Sequence, residues 1–150
     1  VAIATWTAAA ADLSRSAESL RNGNIRSLRF VVDDSFGRRK PEYLAQIRAL
    51  FGDGAIRSTK THAKYAVITN DDWSVAVRTS MNLNENPRLE FIEVSDDLHL
   101  AGFLLRVTDA IFAEEAAGDF RAKTTPPLVS IPGTTPIESV EVGRCVHVGP

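Results

Sequence analysis

His62-Ala63-Lys64-Tyr65-Ala66-Val67-Ile68-Thr69-Asn70-Asp71-Asp72-Trp73-Ser74-Val75-Ala76-Val77-Arg78-Thr79-Ser80-Met81-Asn82 contains two apolar arms around a polar centre. Val, Ile, Tyr and Trp crowd both arms, and Asn-Asp-Asp separates them, so the pattern predicts a β-hairpin with strands over 62–69 and 73–79. Side chains two apart on a strand share a face, which sets His62 beside Lys64. A turn centred on Asp71 places His62 opposite Ser80, with Asn82 just beyond; a one-step register change places His62 opposite Asn82 and Lys64 opposite Ser80. Either pairing gathers an imidazole, an ammonium, a hydroxyl and an amide.

Outward from the hairpin the rhythm is α/β. Upstream, Val1–Trp6 is a short apolar strand. Residues 8–22 carry Ala11, Leu13, Ala17 and Leu20 at helical spacing, with Gly23 as the stop. A second strand is expected over 25–32, ending at Asp33-Asp34, and a helix from Pro41 to Phe51 that breaks at Gly52. A brief strand over 55–58 completes β-α-β-α-β, the order of parallel strands joined by helices. Downstream come a strand over 89–94 and a long helix over 98–117, preceded by Asp96-Asp97 where carboxylates favour a helix start. The fold class is therefore α/β, a mixed sheet flanked by helices. The domain is expected to span residues 1–117, and a Pro/Thr-rich extension with an edge strand over 140–148 to follow in 118–150.

Composition narrows the function. The 150 residues are 44% hydrophobic and 24% charged, values of an ordinary globular protein rather than a disordered chain. No apolar run nears the ~20 residues of a membrane-crossing helix, and no basic flank with an apolar stretch marks a leader. The single Cys145 has no partner for an internal disulfide or a multi-cysteine zinc site. The expectation is a reduced, cytoplasmic protein with no membrane association. Net charge is −2, too low for binding nucleic acid by bulk electrostatics alone. The charge is nevertheless segregated: Arg21 to Lys64 holds ten basic residues against four acidic, and Tyr65 to Phe120 holds three against eleven. Such a chain can present one positive face to an anion, or the two halves can cancel on its surface.

The patch around His62 has the chemistry of an anion pocket. Lys64 supplies a point charge, Ser80 and Asn82 neutral donors, and His62 a ring nitrogen that can attack phosphorus or move a proton. A leaving oxygen also needs an acid, and one imidazole cannot fill both roles in one step. His99 falls in a predicted helix and His147 in the tail, so a second His62 from a two-fold homodimer is the simplest supply. Each residue also has a plain structural reading: His62 as a core histidine, Ser80 and Asn82 as loop caps, Arg88 and Glu90 as a surface ion pair. Arg78 is expected on the Lys64 face, contacting substrate or solvated. Arg38-Arg39-Lys40 is a solvated loop or a contact to a nucleic-acid backbone. Trp6 and Trp73 are core, interface or groove aromatics. Asp33-Asp34 at a strand end suggests metal in other α/β folds, but adjacent carboxylates point to opposite faces, which discounts it here.

With His62-x-Lys64 followed by Ser80-x-Asn82, the chain resembles the phospholipase D-like superfamily, whose motif is HxK(x)4D(x)6GSxN. The resemblance extends over roughly residues 1–117 in element order. Thr69 stands where the motif has Asp, and Thr79 where it has Gly; Asp72 keeps the six-residue spacing to Thr79-Ser80. Tyrosyl-DNA phosphodiesterase-like members use His, Lys and Asn without that Asp. The resemblance implies a metal-independent phosphodiesterase without cofactors. His62 forms a phosphohistidine, Lys64 and Asn82 hold phosphate oxygens, Ser80 assists, and Glu90 orients the imidazole with Glu93 in reserve. One HxK per chain implies a homodimer with the site across its axis. Single-motif members resemble nucleases, so nucleic acid, DNA first, is the expected substrate, with Arg78 and Arg38-Arg39-Lys40 as its contacts. The alternative is a degenerate module of the same fold that binds nucleic acid or a protein partner, within a phage or mobile-element protein.

Overall fold

A computed structural model describes residues 1–5, 10–82 and 89–122. Trp6, Arg88, Cys145, His147 and the expected strand over 140–148 lie outside the described residues. The elements run β1 (Ala2–Thr5), α1 (Ala10–Arg21), β2 (Arg29–Asp33), α2 (Phe36–Arg39), α3 (Pro41–Phe51), β3 (Ile56–Thr59), β4 (Tyr65–Thr69), β5 (Ser74–Thr79), β6 (Ile92–Ser95) and α4 (Leu98–Glu114). They build one mixed six-stranded open sheet in the order β3-β2-β1-β4-β5-β6. β1, β2 and β3 are parallel, whereas β4, β5 and β6 pair antiparallel in series, β4 against β1.

Helices pack on both faces of the sheet, on one of them only over its parallel half. Leu13 from α1 and Leu44 and Ile47 from α3 bury against Phe30, Val32 and Ile56 of the parallel half. On the opposite face, Ala101, Leu104 and Ile111 at helical spacing lay α4 across Ala2, Ala4, Val31, Tyr65, Val67 and Ala76. α4 starts where Asp97 caps it, its carboxylate accepting from the backbone N–H groups of His99 and Leu100. The helix ends at Glu114, before the expected 117, because the Glu115 backbone turns extended. Phe120 then returns to the α2–α3 cluster beside Gly37, where a Cβ would stand 3.0 Å from Leu44 Cδ2. No helix among the described residues is long and apolar enough to cross a membrane.

Tyr65 joins α4 to the sheet through its hydroxyl, 2.9 Å from Thr108 Oγ1, with both residues buried. Burial pushes the Tyr65 phenol above its ordinary pKa, partly offset by that hydrogen bond. Thr108 also donates to the Leu104 carbonyl at 3.0 Å, so it keeps a partner if the phenol is removed. Tyr65→Phe is accordingly expected to cost only about 1 kcal/mol in urea denaturation. A loss several times larger would show that the hydroxyl organises more than this contact.

Three further expected boundaries move by three residues or more. The second strand starts at Arg29 rather than residue 25, because Gly23 (φ +76) ends α1 and the Ile25 N–H returns to the Ser19 carbonyl. Residues up to Leu28 carry the chain from helix to sheet, and Arg29 pairs with Ala2. The strand after the hairpin is Ile92–Ser95, not 89–94. The third change, at His62, creates the site.

Candidate active site

β4 begins at Tyr65, so His62 and Lys64 are not strand residues. Topology dictates this. β3 is an edge of the sheet, and β4 lies three places away beyond β2 and β1. Three inter-strand spacings are about 14 Å, which takes about four residues near full extension. The five residues between Thr59 and Tyr65 do that crossing and have no ladder to join. His62 is therefore carried over the carboxyl ends of β1 and β2, where ligands of open α/β sheets bind. β5 runs parallel to β1, so its carboxyl end, Thr79-Ser80, reaches the same edge.

The hairpin register differs from both expected pairings. Asn70 Oδ1 accepts from the N–H groups of Asp72 and Trp73, and the Asn70 N–H donates to the Trp73 carbonyl. The turn therefore centres between Asp71 and Asp72, and Tyr65 pairs with Arg78. The Thr79 N–H donates to the Lys64 carbonyl at 3.2 Å, setting Lys64 opposite Thr79 rather than Ser80 or Arg78. Arg78 stands with Tyr65 instead and forms a two-pronged pair with Glu93, at 2.7 and 2.6 Å. Both Lys64 and Arg78 nevertheless line one open groove with Ser80, Phe91 and Leu104.

Two side-chain pairs occupy the edge. Lys64 Nζ lies 3.1 Å from His62 Nδ1 and donates to the His62 carbonyl at 2.9 Å. An ammonium only donates, so Nδ1 is the acceptor in this contact. Ser80 Oγ donates to Glu90 at 2.5 Å and accepts from the Phe91 N–H at 2.9 Å. The half-buried Lys64 is held below the ordinary lysine range by desolvation, while the negative charges of Glu90 and Asp33 push it back up. The pairs thus share one electrostatic environment. His62 and Ser80 are exposed, Asn82 is half-buried at the exit of β5, and the Thr79 hydroxyl donates to the Phe91 carbonyl at 2.7 Å and accepts from the Met81 N–H. The Thr79 side chain thereby ties the backbone where the motif has Gly.

Asp33, discounted in the sequence as a metal ligand, is structural. One oxygen accepts from the Ser35 N–H at 3.0 Å and from the Ser35 hydroxyl; the other lies 3.4 Å from the Thr61 N–H. Thr61 Oγ1 in turn accepts from the Ala63 N–H at 3.1 Å. These contacts bracket His62 on both sides and fix the crossing segment to β2. Asp-x-Ser is an Asx-turn signature, which was the signal available in the sequence. Arg38-Arg39-Lys40 is not a loop: Arg38 and Arg39 belong to α2, which leaves the carboxyl end of β2 at this same edge. Arg39 Nε donates to Ser35 Oγ, and the Lys40 ammonium sits 5.6 Å from the centre of the Tyr43 ring. Among the described residues, no group of three or more His, Cys, Asp or Glu is placed to hold a metal ion.

Asp33→Asn removes a negative charge that favours the Lys64 ammonium, so the Lys64 pKa is expected to fall further. Titration of the lysine Cε resonance by NMR reads this directly. An unchanged titration would show that Asp33 acts on the loop by hydrogen bonding alone.

No protein-family model matches the chain, and no curated protein matches it.

Proposed function

We propose that the chain is a phospholipase D-like phosphodiesterase that cleaves nucleic-acid phosphodiester bonds through a phosphohistidine, as a homodimer. The observation that carries this reading is the Lys64 ammonium 3.1 Å from the imidazole of an exposed His62, at an edge also holding Ser80, Asn82 and Glu90. A lysine drawn below its ordinary range and aimed at a solvent-facing imidazole is placed to share a phosphate with it.

The contacts support the following chemistry. Substrate phosphate draws the Lys64 ammonium off Nδ1; the ring proton moves there, and Nε2 presents its lone pair. Glu90, whose charge already acts on Lys64, is the acceptor that the resemblance assigns to that ring. Nε2 bonds to phosphorus as the P–O bond to the leaving nucleoside breaks, and the partner subunit's His62 protonates the departing oxygen. Water then attacks phosphorus, giving its proton to that same partner imidazole, and the N–P bond breaks. Lys64 and Asn82 hold the phosphate oxygens throughout. α2 presents Arg38, Arg39 and Lys40 along the approach of the polyanion.

The test is hydrolysis of bis(p-nitrophenyl) phosphate and of a DNA oligonucleotide in excess EDTA, with acid-labile, base-stable phosphate label on the protein. Turnover that requires an added divalent cation overturns the mechanism. One observation favours a second reading. Thr79 fills and ties the backbone position that the motif leaves open as Gly. In that reading the same edge binds a phosphate backbone without cleaving it, and Lys64→Ala weakens DNA affinity in a protein with no turnover.

A further inference from the structure

We infer that the face of β4, β5 and β6 left uncovered by the described residues is the docking surface for a second copy of this chain. The choice of a second copy rests on the reading above, in which one site needs two copies of His62. α1 and α3 cover only the parallel half of the sheet, packing on β2, β3 and Ile3 of β1. Beyond β1 that face continues as Ala66 and Ile68 of β4, Val75 and Val77 of β5, and Ile92 and Val94 of β6. The pairs Ala66–Val77, Ile68–Val75 and Val77–Val94 put these residues on one side of the sheet. Ile68, Ile92 and Val94 are 49%, 55% and 65% exposed, whereas Tyr65, Val67 and Ala76 on the opposite face of β4 and β5 are buried against α4. A sheet face left to water normally carries polar side chains; this face of the three strands is apolar except for Thr79.

Charge selects the occupant. Within the three strands this face has no Lys, Arg, Asp or Glu. A polyanion would need cations there, and an acidic or basic partner a complementary charge. A neutral apolar patch can meet its own image across a two-fold axis without like-charge repulsion. Position agrees with charge. At the carboxyl edge the face ends in a hollow of about 180 Å³ between Ile3, Val77 and Ile92 that is also lined by Thr79, Met81 and Asn82. A copy seated on this surface therefore stands against the edge where His62 and Lys64 are held, as a shared site requires.

Sedimentation velocity of the full chain tests the inference with Val94→Lys and Ile92→Lys, both at exposed positions where a monomer tolerates a lysine. Leu98→Lys, at the exposed start of α4, is the control. The wild-type and control chains are expected to be dimers at about 50 μM, and both face variants to dissociate at least about 100-fold more readily with unchanged circular dichroism. A monomeric wild type, or face variants that stay dimeric, overturns the inference. Protection of the Ile92 and Val94 amides in a monomeric wild type would assign the face to residues 123–150 of the same chain. Loss of DNA affinity without a change of mass would assign it to nucleic acid. If the face variants dissociate but no form cleaves a phosphodiester, the docking surface stands and the catalytic reading falls.

Discussion

His62→Ala is expected to lower hydrolysis of bis(p-nitrophenyl) phosphate in EDTA by at least about 10³-fold, the loss typical of removing a covalent nucleophile. The substitution removes an exposed ring whose Nδ1 contact is the Lys64 ammonium, so thermal stability is expected to change little. The protein-bound phosphate label should disappear entirely. Lys64→Ala should behave differently. In the proposed reaction Lys64 is the cation that holds the phosphate, so its removal should lower affinity for phosphate and turnover together. Arrest with an intact label would mean that another residue takes the phosphoryl group. In the proposed dimer, where each site takes two copies of His62, mixing His62→Ala with wild-type subunits should lower activity more steeply than simple dilution. A linear loss would place the whole reaction within one chain.

Much of this arrangement was legible in the sequence, and the failures share a cause. Local signals located the helix starting at Pro41, the Asp97 cap and the apolar hairpin, because each depends on residues within a few positions. The order of the strands does not. Nothing in residues 60–64 states that the chain must pass over the ends of β2 and β1 before it pairs again. That crossing takes His62 and Lys64 out of the strand whose alternation first placed them together. They still meet, but through a lysine that folds back onto the imidazole. The register was missed by a half-step because Asn70 joins the turn as its cap, moving the centre from Asp71 to between Asp71 and Asp72. Asp33 escaped notice as a positioning residue because its partner Thr61 lies 28 positions away. The Arg38-Arg39-Lys40 run looked like a loop because Phe36 alone supplies the apolar anchor of its one-turn helix.

That anchor carries the largest stability effect expected at this end of the molecule. Phe36 is fully buried with Phe30, Leu44 and Ile47, directly between the Asp33 turn and the basic residues of α2. Phe36→Ala deletes a ring from a close-packed cluster and leaves a cavity that the surrounding strands cannot close. The cost is expected to be about 3–5 kcal/mol, or roughly 10 °C in melting temperature. A helix of four residues has no intrinsic stability in water, so α2 exists only as far as this burial holds it. Loss of the ring should therefore loosen Arg38 and Arg39 as well. Below its melting transition the variant is expected to keep cleaving bis(p-nitrophenyl) phosphate while its affinity for DNA falls and the salt dependence of binding flattens. If DNA affinity and its salt slope survive in the folded variant, the basic run of α2 does not touch the polyanion, and its contacts must come from elsewhere along the carboxyl edge.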